Sequence, residues 1–375
     1  MMTGRVLAAA MAVLLIFAAS PAARSDTPAR RITPESLAQF FGSRTCAGSP
    51  TDEAVSFIDT HSHLNGVVGR GVTDFTGAAE TAIAAMEACG IELTILMAPP
   101  FPSGIRVPYD IDPLREVQRR FPGRFVFLGG GGSLSPMIIG AAGQDSVSDA
   151  TRAFFEARAE QILRGGASGF GELTALHFSF ASNHPYIEVA PDHPLFLLLA
   201  DIAARHDVPI DLHMEAADTD IEMPLALAAR SRANPASVDA NEAALERLLA
   251  HNRDARIVWT HFGWDNTGRR TVDQARRLLD RHANLYLSIK IAPDAPINGS
   301  PLTGQGDIHD DWLALFSDFP ERFVVGVDQF HASPRARRQI GPPSITGPRA
   351  RLDALPADLA RRIGVENARA IYNLD

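Results

Sequence analysis

The chain has 375 residues, 46% of them hydrophobic and 21% charged, a length that is large for an average domain and ordinary for one α/β barrel with long loops. A formal net charge of -9 excludes the basic stripe with which a nucleic-acid binder neutralises phosphates. Its two cysteines, Cys46 and Cys89, exclude a disulfide scaffold and a CxxC metal knuckle, and leave open one Cys46 to Cys89 bridge or two separate thiols.

The chain starts with Arg5, an apolar run from Val6 to Ala19 and small residues around Ala22 and Ala23, which is the layout of a secretory signal peptide over residues 1–25. That run falls short of the roughly 20 residues a membrane-crossing helix needs. The expectation is an exported protein, periplasmic or secreted, with no stable membrane anchor after signal cleavage. Residues 26–54 are polar and turn-rich and read as a short N-terminal extension, with one amphipathic piece near Ser36 to Phe41.

From there to residue 375, short apolar runs alternate with helical patterns, the βαβ rhythm of a parallel sheet. The predicted strands are Val55 to Thr60, Leu93 to Ala98, Arg124 to Leu128, Ser168 to Leu173, Pro209 to His213, Arg256 to His261, Leu285 to Ile289 and Phe323 to Val327. The helical period picks out Ala78 to Cys89, Ala150 to Arg164, Pro194 to Arg205, Asn241 to His251 and Thr271 to His282, with a further helix starting near Asp311 and stopped by Pro320. Eight strands close a single (β/α)8 TIM-type barrel. The longer loops follow the strands, at 99–110, 129–145, 175–194 and 293–307, and in a barrel that face carries the site. An open doubly wound sheet is the runner-up, but the turn after its first strand should be glycine-rich, and here the chain reads His61-Ser62-His63.

His61 and His63 sit two apart on a strand and therefore share a face, as two ligands of one metal should. Other strands end on groups of the same kind: Glu172 on the fourth, His213 on the fifth, His261 on the sixth and Asp328 on the eighth. Each buried imidazole needs a hydrogen-bond partner and each buried carboxylate a counter-charge, so shared divalent metal explains six such groups in one barrel mouth better than separate structural pairs do.

The ordered set of HxH, His, His and Asp resembles the amidohydrolase superfamily, and within it the amidohydrolase-related group. The likeness extends to the closing stretch Glu366-Asn367-Ala368-Arg369-Ala370-Ile371-Tyr372. The resemblance implies that His61, His63 and Asp328 hold one ion and that His213 and His261 hold a second. Members with two ions use a bridging carboxylate, often a carbamylated lysine on the fourth strand; Glu172 stands there instead. In one-ion members His213 completes the first site, and His261 is a nearby base. The implied cofactor is one or two divalent ions, zinc by default for a histidine-rich site.

The expected activity is metal-dependent hydrolysis of an amide, ester or lactone in a small organic substrate. Asp328 handles the proton, with His261 and Lys290 beside it. Lys290 is the one lysine in the chain, and its expected partner is a substrate carboxylate. Glu215, Trp264, Asp265, His177, His184, His193 and His331 are candidate pocket residues. The alternatives are a non-oxidative decarboxylase of the same fold, a phosphoesterase, and a non-catalytic periplasmic metal- or ligand-binding protein.

Overall fold

A computed structural model of the chain describes residues 55–374 except 70, 103–107, 182–183, 291–298, 304–306 and 337–351. The predicted signal peptide, the extension 26–54 and Cys46 lie outside the described residues. Cys89 is disulfide-bonded, so the reading of two separate thiols does not hold. No helix among the described residues is long and apolar enough to cross a membrane.

The parallel strands are β1 (Phe57–Asn65), β2 (Ile91–Leu96), β3 (Phe125–Phe127, continued by Gly129–Gly130), β4 (Phe170–His177), β5 (Pro209–Met214), β6 (Arg256–Phe262), β7 (Leu285–Ile289) and β8 (Phe323–Val325, resumed at Gln329–Ala332). They pair in sequence order, with β3 joined to β2 through its first segment and to β4 through its second, and β8 returning to pair with β1. The result is a closed (β/α)8 barrel. Closure matters here because it brings the C-terminal ends of distant strands to one mouth.

The major helices are α1 (Phe75–Cys89), α2 (Ile111–Arg120), α3 (Asp149–Arg164), α4 (Pro194–Arg205), α5 (Glu242–His251), α6 (Val272–Arg281) and α7 (Asp310–Asp318). Their starts follow ordinary capping chemistry: Ser148 accepts from Thr151 N, Thr271 accepts from Gln274 N, and Pro194 occupies the first turn of α4. The sequence reading named no helix at α2. It buries Ile111, Leu114 and Val117, three positions at helical spacing on one face.

Two layers of core result. The outer one packs the strands against the helices and holds Phe57, Leu64, Phe170, Leu212 and Trp259 among others. The inner one fills the barrel with Ile58, Ile95, Met97, Leu128, Val258 and Val324, and is plugged from the N-terminal end by Ala368, Ile371 and Tyr372 of the closing helix Asn367–Tyr372. Which core a strand residue joins is therefore a direct reading of which way its side chain points, and this fixes how the site is built.

Candidate metal centre

On β1, Phe57 and Leu64 face the outer core and Ile58 faces the inner one. Strict alternation from Ile58 would turn Thr60 and Ser62 inward. A register shift between Asp59 and Ser62 against β2 supplies one extra residue, and His61 and His63 take the inward places, with their Nε2 atoms 3.2 Å apart. Asp59 secures the irregularity: its carboxylate accepts from Ser62 Oγ at 2.6 Å, Val327 N at 2.9 Å and His61 N at 3.1 Å. Burial lifts the Asp59 carboxyl to about 6, against the pull of those donors.

The same device recurs on β4 and β6. Phe170 and Leu173 both face the outer core, a register shift falls between them, and Glu172 turns inward. Gly171 makes room, since a Cβ there would lie 2.8 Å from Cβ of Asp211. On β6 the shift lies between Trp259 and Phe262, and His261 sits at φ 62°, in the left-handed region that His and Asp tolerate better than most residues. Asp328, at φ 52°, occupies the break in β8. Gly326 lets that turn approach β1 and β7; a Cβ there would lie 3.0 Å from Cβ of His61 and closer still to Ser288.

Strand β5 needs no such device. Ile210, Leu212 and Met214 face the outer core in plain alternation, which sends Asp211 and His213 inward.

The six predicted groups converge. Glu172 lies between the histidines, with Oε2 at 3.4 Å from His63 Nε2 and 3.7 Å from His61 Nε2, and Oε1 at 2.7 Å from His213 Nδ1 and 3.5 Å from His261 Nε2. Asp328 Oδ1 is 3.3 Å from His63 Nε2 and 3.9 Å from His61 Nε2, and its Oδ2 is 3.9 Å from His261 Nε2. Ligand atoms held about 2.1 Å from one tetrahedral ion lie about 3.4 Å from each other. The donor set therefore has the spacing of a coordination shell. Three overlapping groups each bring their donor atoms within 4.8 Å of one another: His61, His63 and Glu172; His61, His261 and Asp328; Glu172, His213 and His261.

The surrounding hydrogen bonds fit the same reading. His63 Nδ1 is 3.0 Å from the carbonyl oxygen of Met97, which can only accept, so Nδ1 carries the proton and Nε2 offers a lone pair. His61 Nδ1 donates to Asp211 Oδ2 at 3.2 Å, which likewise aims Nε2 at the cluster. The two Nε2 atoms face each other at 3.2 Å, a separation that one bound cation between them would also satisfy. The ring of Phe330 lies against His63 at 4.4 Å between centroids and fixes its plane.

Charge points the same way. Burial pushes the Glu172 carboxyl up, but His213, His261 and His61 hold it well below the usual carboxylate range. Burial opposes ionisation of Asp328 as well, and Lys290 followed by the histidines holds it equally low. Lys290 is buried, with Nζ 2.5 Å from Asp328 Oδ2 and 3.9 Å from the ring centroid of Trp264. Glu172 and Asp328 are thus both held as carboxylates beside the histidines, the kind of donor that suits a divalent cation.

Of the candidate pocket residues, Glu215 reaches the cluster directly, 3.7 Å from His213 Nε2, and two rings stand against it: the His177 ring is 4.7 Å from that of His213, and the Trp264 ring 6.5 Å from that of His261. Burial, His213 and His184 push the His177 imidazole down to about 3, so it is neutral at physiological pH. His193 instead caps α4, accepting from Leu195 N, and Asp265 organises a turn by accepting from Thr267 and Arg270 N. His184 Nδ1 accepts from Phe180 N, a loop contact. Sequence reasoning passed over Asp59 and Asp211. The second was legible, because Asp211 lies two before His213 on a strand and must share its face.

Fold and cluster together define a metal-dependent barrel enzyme. A family profile described as Amidohydrolase matches residues 137–374, more than half of the chain, and the chain belongs to that family. A search of curated protein sequences finds no match. Among solved structures the chain is similar to 2,6-dihydroxybenzoate decarboxylase from Rhizobium, at 14% identity over 86% of this chain and 99% of that one, with a TM-score of 0.45. It is similar to a dihydroxybenzoic acid decarboxylase from Polaromonas with bound manganese, at 14% identity over 85% and 97% of the two chains and a TM-score of 0.46. It is also similar to dihydroorotase from Saccharomyces cerevisiae, at 13% identity over 87% and 85% and a TM-score of 0.47.

Proposed function

We propose that this protein is an exported hydrolase that uses two divalent ions, zinc by preference, to cleave an amide, ester or lactone bond in a small organic substrate. The observation that carries the reading is Glu172: its two oxygens face different pairs of histidines, Oε2 toward His61 and His63 and Oε1 toward His213 and His261. A carboxylate so placed is suited to bridging, with Asp328 completing the first half of the centre.

Ions held there supply Lewis acidity, which polarises a carbonyl oxygen and makes water acidic near neutral pH. The chain supplies the rest. Asp328 is kept ionised at the mouth and is the group to accept the proton of the attacking water and return it to the leaving atom. Lys290 steadies Asp328 through Oδ2 and is the cation available to a substrate carboxylate. A substrate anion that drew the ammonium away would make Asp328 more basic at the moment it is needed. His261, bonded to neither Lys290 nor a backbone acceptor through Nε2, completes the wall between the two halves.

A one-ion decarboxylase is the second reading, and one contact favours it: His261 Nε2 also lies within 3.9 Å of Asp328 Oδ2, so it groups with the first half as well as the second. Elemental analysis of the purified protein beside Glu172→Gln separates them. Two ions per chain, falling toward one in the variant, is the hydrolase result. One ion in both would place Glu172 outside the coordination shell and favour the decarboxylase. Export is tested by the N-terminal residue of the secreted protein, expected just after Ala22 or Ser25.

A further inference from the structure

Behind His213 lies a buried charged group that the chemistry above does not use. Glu215 and Arg270 are 0% and 1% exposed. Glu215 Oε1 accepts from Asn266 Nδ2 at 2.7 Å and lies 3.7 Å from His213 Nε2, while Oε2 is 3.7 Å from Arg270 Nη2. Among the described residues, two buried atoms of this contact have no hydrogen-bond partner, His213 Nε2 and Glu215 Oε2. The carboxylate oxygen next to His213 Nε2 is Oε1, while Oε2 faces the Arg270 guanidinium.

Arg270 ties the same group to the barrel. Its Nη1 donates to the carbonyl of His261 at 2.9 Å and to that of Trp264 at 3.2 Å, its Nη2 donates to the carbonyl of Met214, and its guanidinium lies over the ring of Trp259. One side chain thus fastens the end of β5 to the end of β6, the two strands that deliver His213 and His261. A fully buried ion pair is a poor source of stability, since desolvation cancels most of its attraction. Its placement suits another task.

We propose that Glu215, held by Arg270 and Asn266, is a positioning residue for the second half of the metal centre, and that Asp211 serves the first half in the same way. Strand β5 and the residue just past its end then supply Asp211, His213 and Glu215: a carboxylate for His61, a ligand, and a carboxylate for that ligand. Asp211 keeps the proton on His61 Nδ1 and frees Nε2. Glu215 Oε1, 3.7 Å from His213 Nε2, is the carboxylate placed to take the Nε2 proton when an ion occupies Nδ1, the atom that now lies 2.7 Å from Glu172 Oε1. The two halves are therefore tuned by separate residues. This rests on the two-ion reading.

The test is a zinc titration of chelator-stripped full-length protein against a chromophoric competitor. The wild type should show two sites. Glu215→Gln should weaken the second by roughly 10–100-fold and leave the first, Asp211→Asn should do the reverse, and Glu215→Asp should recover part of the loss. Imidazole NMR of the zinc-loaded protein should show His213 protonated at Nε2 in the wild type and not uniformly so in Glu215→Gln. If Glu215→Gln does not fold, Asn266→Ala removes only the 2.7 Å support of Glu215 and should weaken the same site by a smaller factor. Unchanged affinity for the second ion in the folded variant, or equal loss at both sites, would overturn the positioning role alone. A wild type that takes one ion would overturn the two-ion reading and this inference with it.

Discussion

Strands β1 and β5 each send functional side chains into the barrel mouth, and they do it differently. On β5 the alternation is unbroken, so Ile210, Leu212 and Met214 pack outward while Asp211 and His213 turn inward. On β1 the alternation that starts with Ile58 would hide His61 and His63 in the outer core, and one extra residue near Asp59 reverses it. The regular strand carries a ligand with its supporting carboxylate, and the irregular one carries two ligands side by side. Irregularity buys convergence: β4 and β6 have the same kind of shift at Glu172 and His261.

That comparison can be broken most severely by Asp59→Ala, which removes the carboxylate that secures the extra residue and lets β1 return to plain alternation at unchanged length. Two imidazoles would then face apolar neighbours with no partner, and the expected cost is about 4 kcal/mol or more, read as a large fall in melting temperature together with loss of bound metal. A milder break is Gly171→Ala. Its Cβ would meet Asp211 Cβ at 2.8 Å, so β4 and β5 must part, at about 1–3 kcal/mol in denaturant unfolding and with less than the wild-type metal content because Glu172 moves. The smallest effect sharpens the contrast. Leu212→Val removes one outward methylene from the regular strand and should cost about 1 kcal/mol while metal content stays at the wild-type value. A loss of metal in Leu212→Val would show that β5 is no more independent of the site than β1.

Much of the fold was readable before any coordinates. Each of the eight apolar runs became a strand, and Pro194–Arg205 and Leu285–Ile289 kept the predicted bounds. The six expected ligands come together because residues that close barrel strands share one mouth whatever lies between them. The supporting groups were harder. Asp211 could be inferred from its spacing to His213, but Arg270 lies in the loop after β6 and reaches Met214 and Glu215 on another strand, a contact with no local pattern. His193 and Asp265 looked like pocket residues because they lie in the loops that follow strands, and they turned out to cap and brace those loops.

The sequence alone determined the order of elements, the closure implied by eight strands and the chemical identity of the donors, since all of these follow from composition and short-range period. Tertiary structure decided which way three of the donor strands face and which carboxylate serves which histidine. The shift on β1 is secured by Asp59 accepting from Val327 N across the closing seam of the barrel, and Asp211 meets His61 from a strand far along the chain. Alternation is a property of neighbours in sequence, whereas a bulge is stabilised by partners in space.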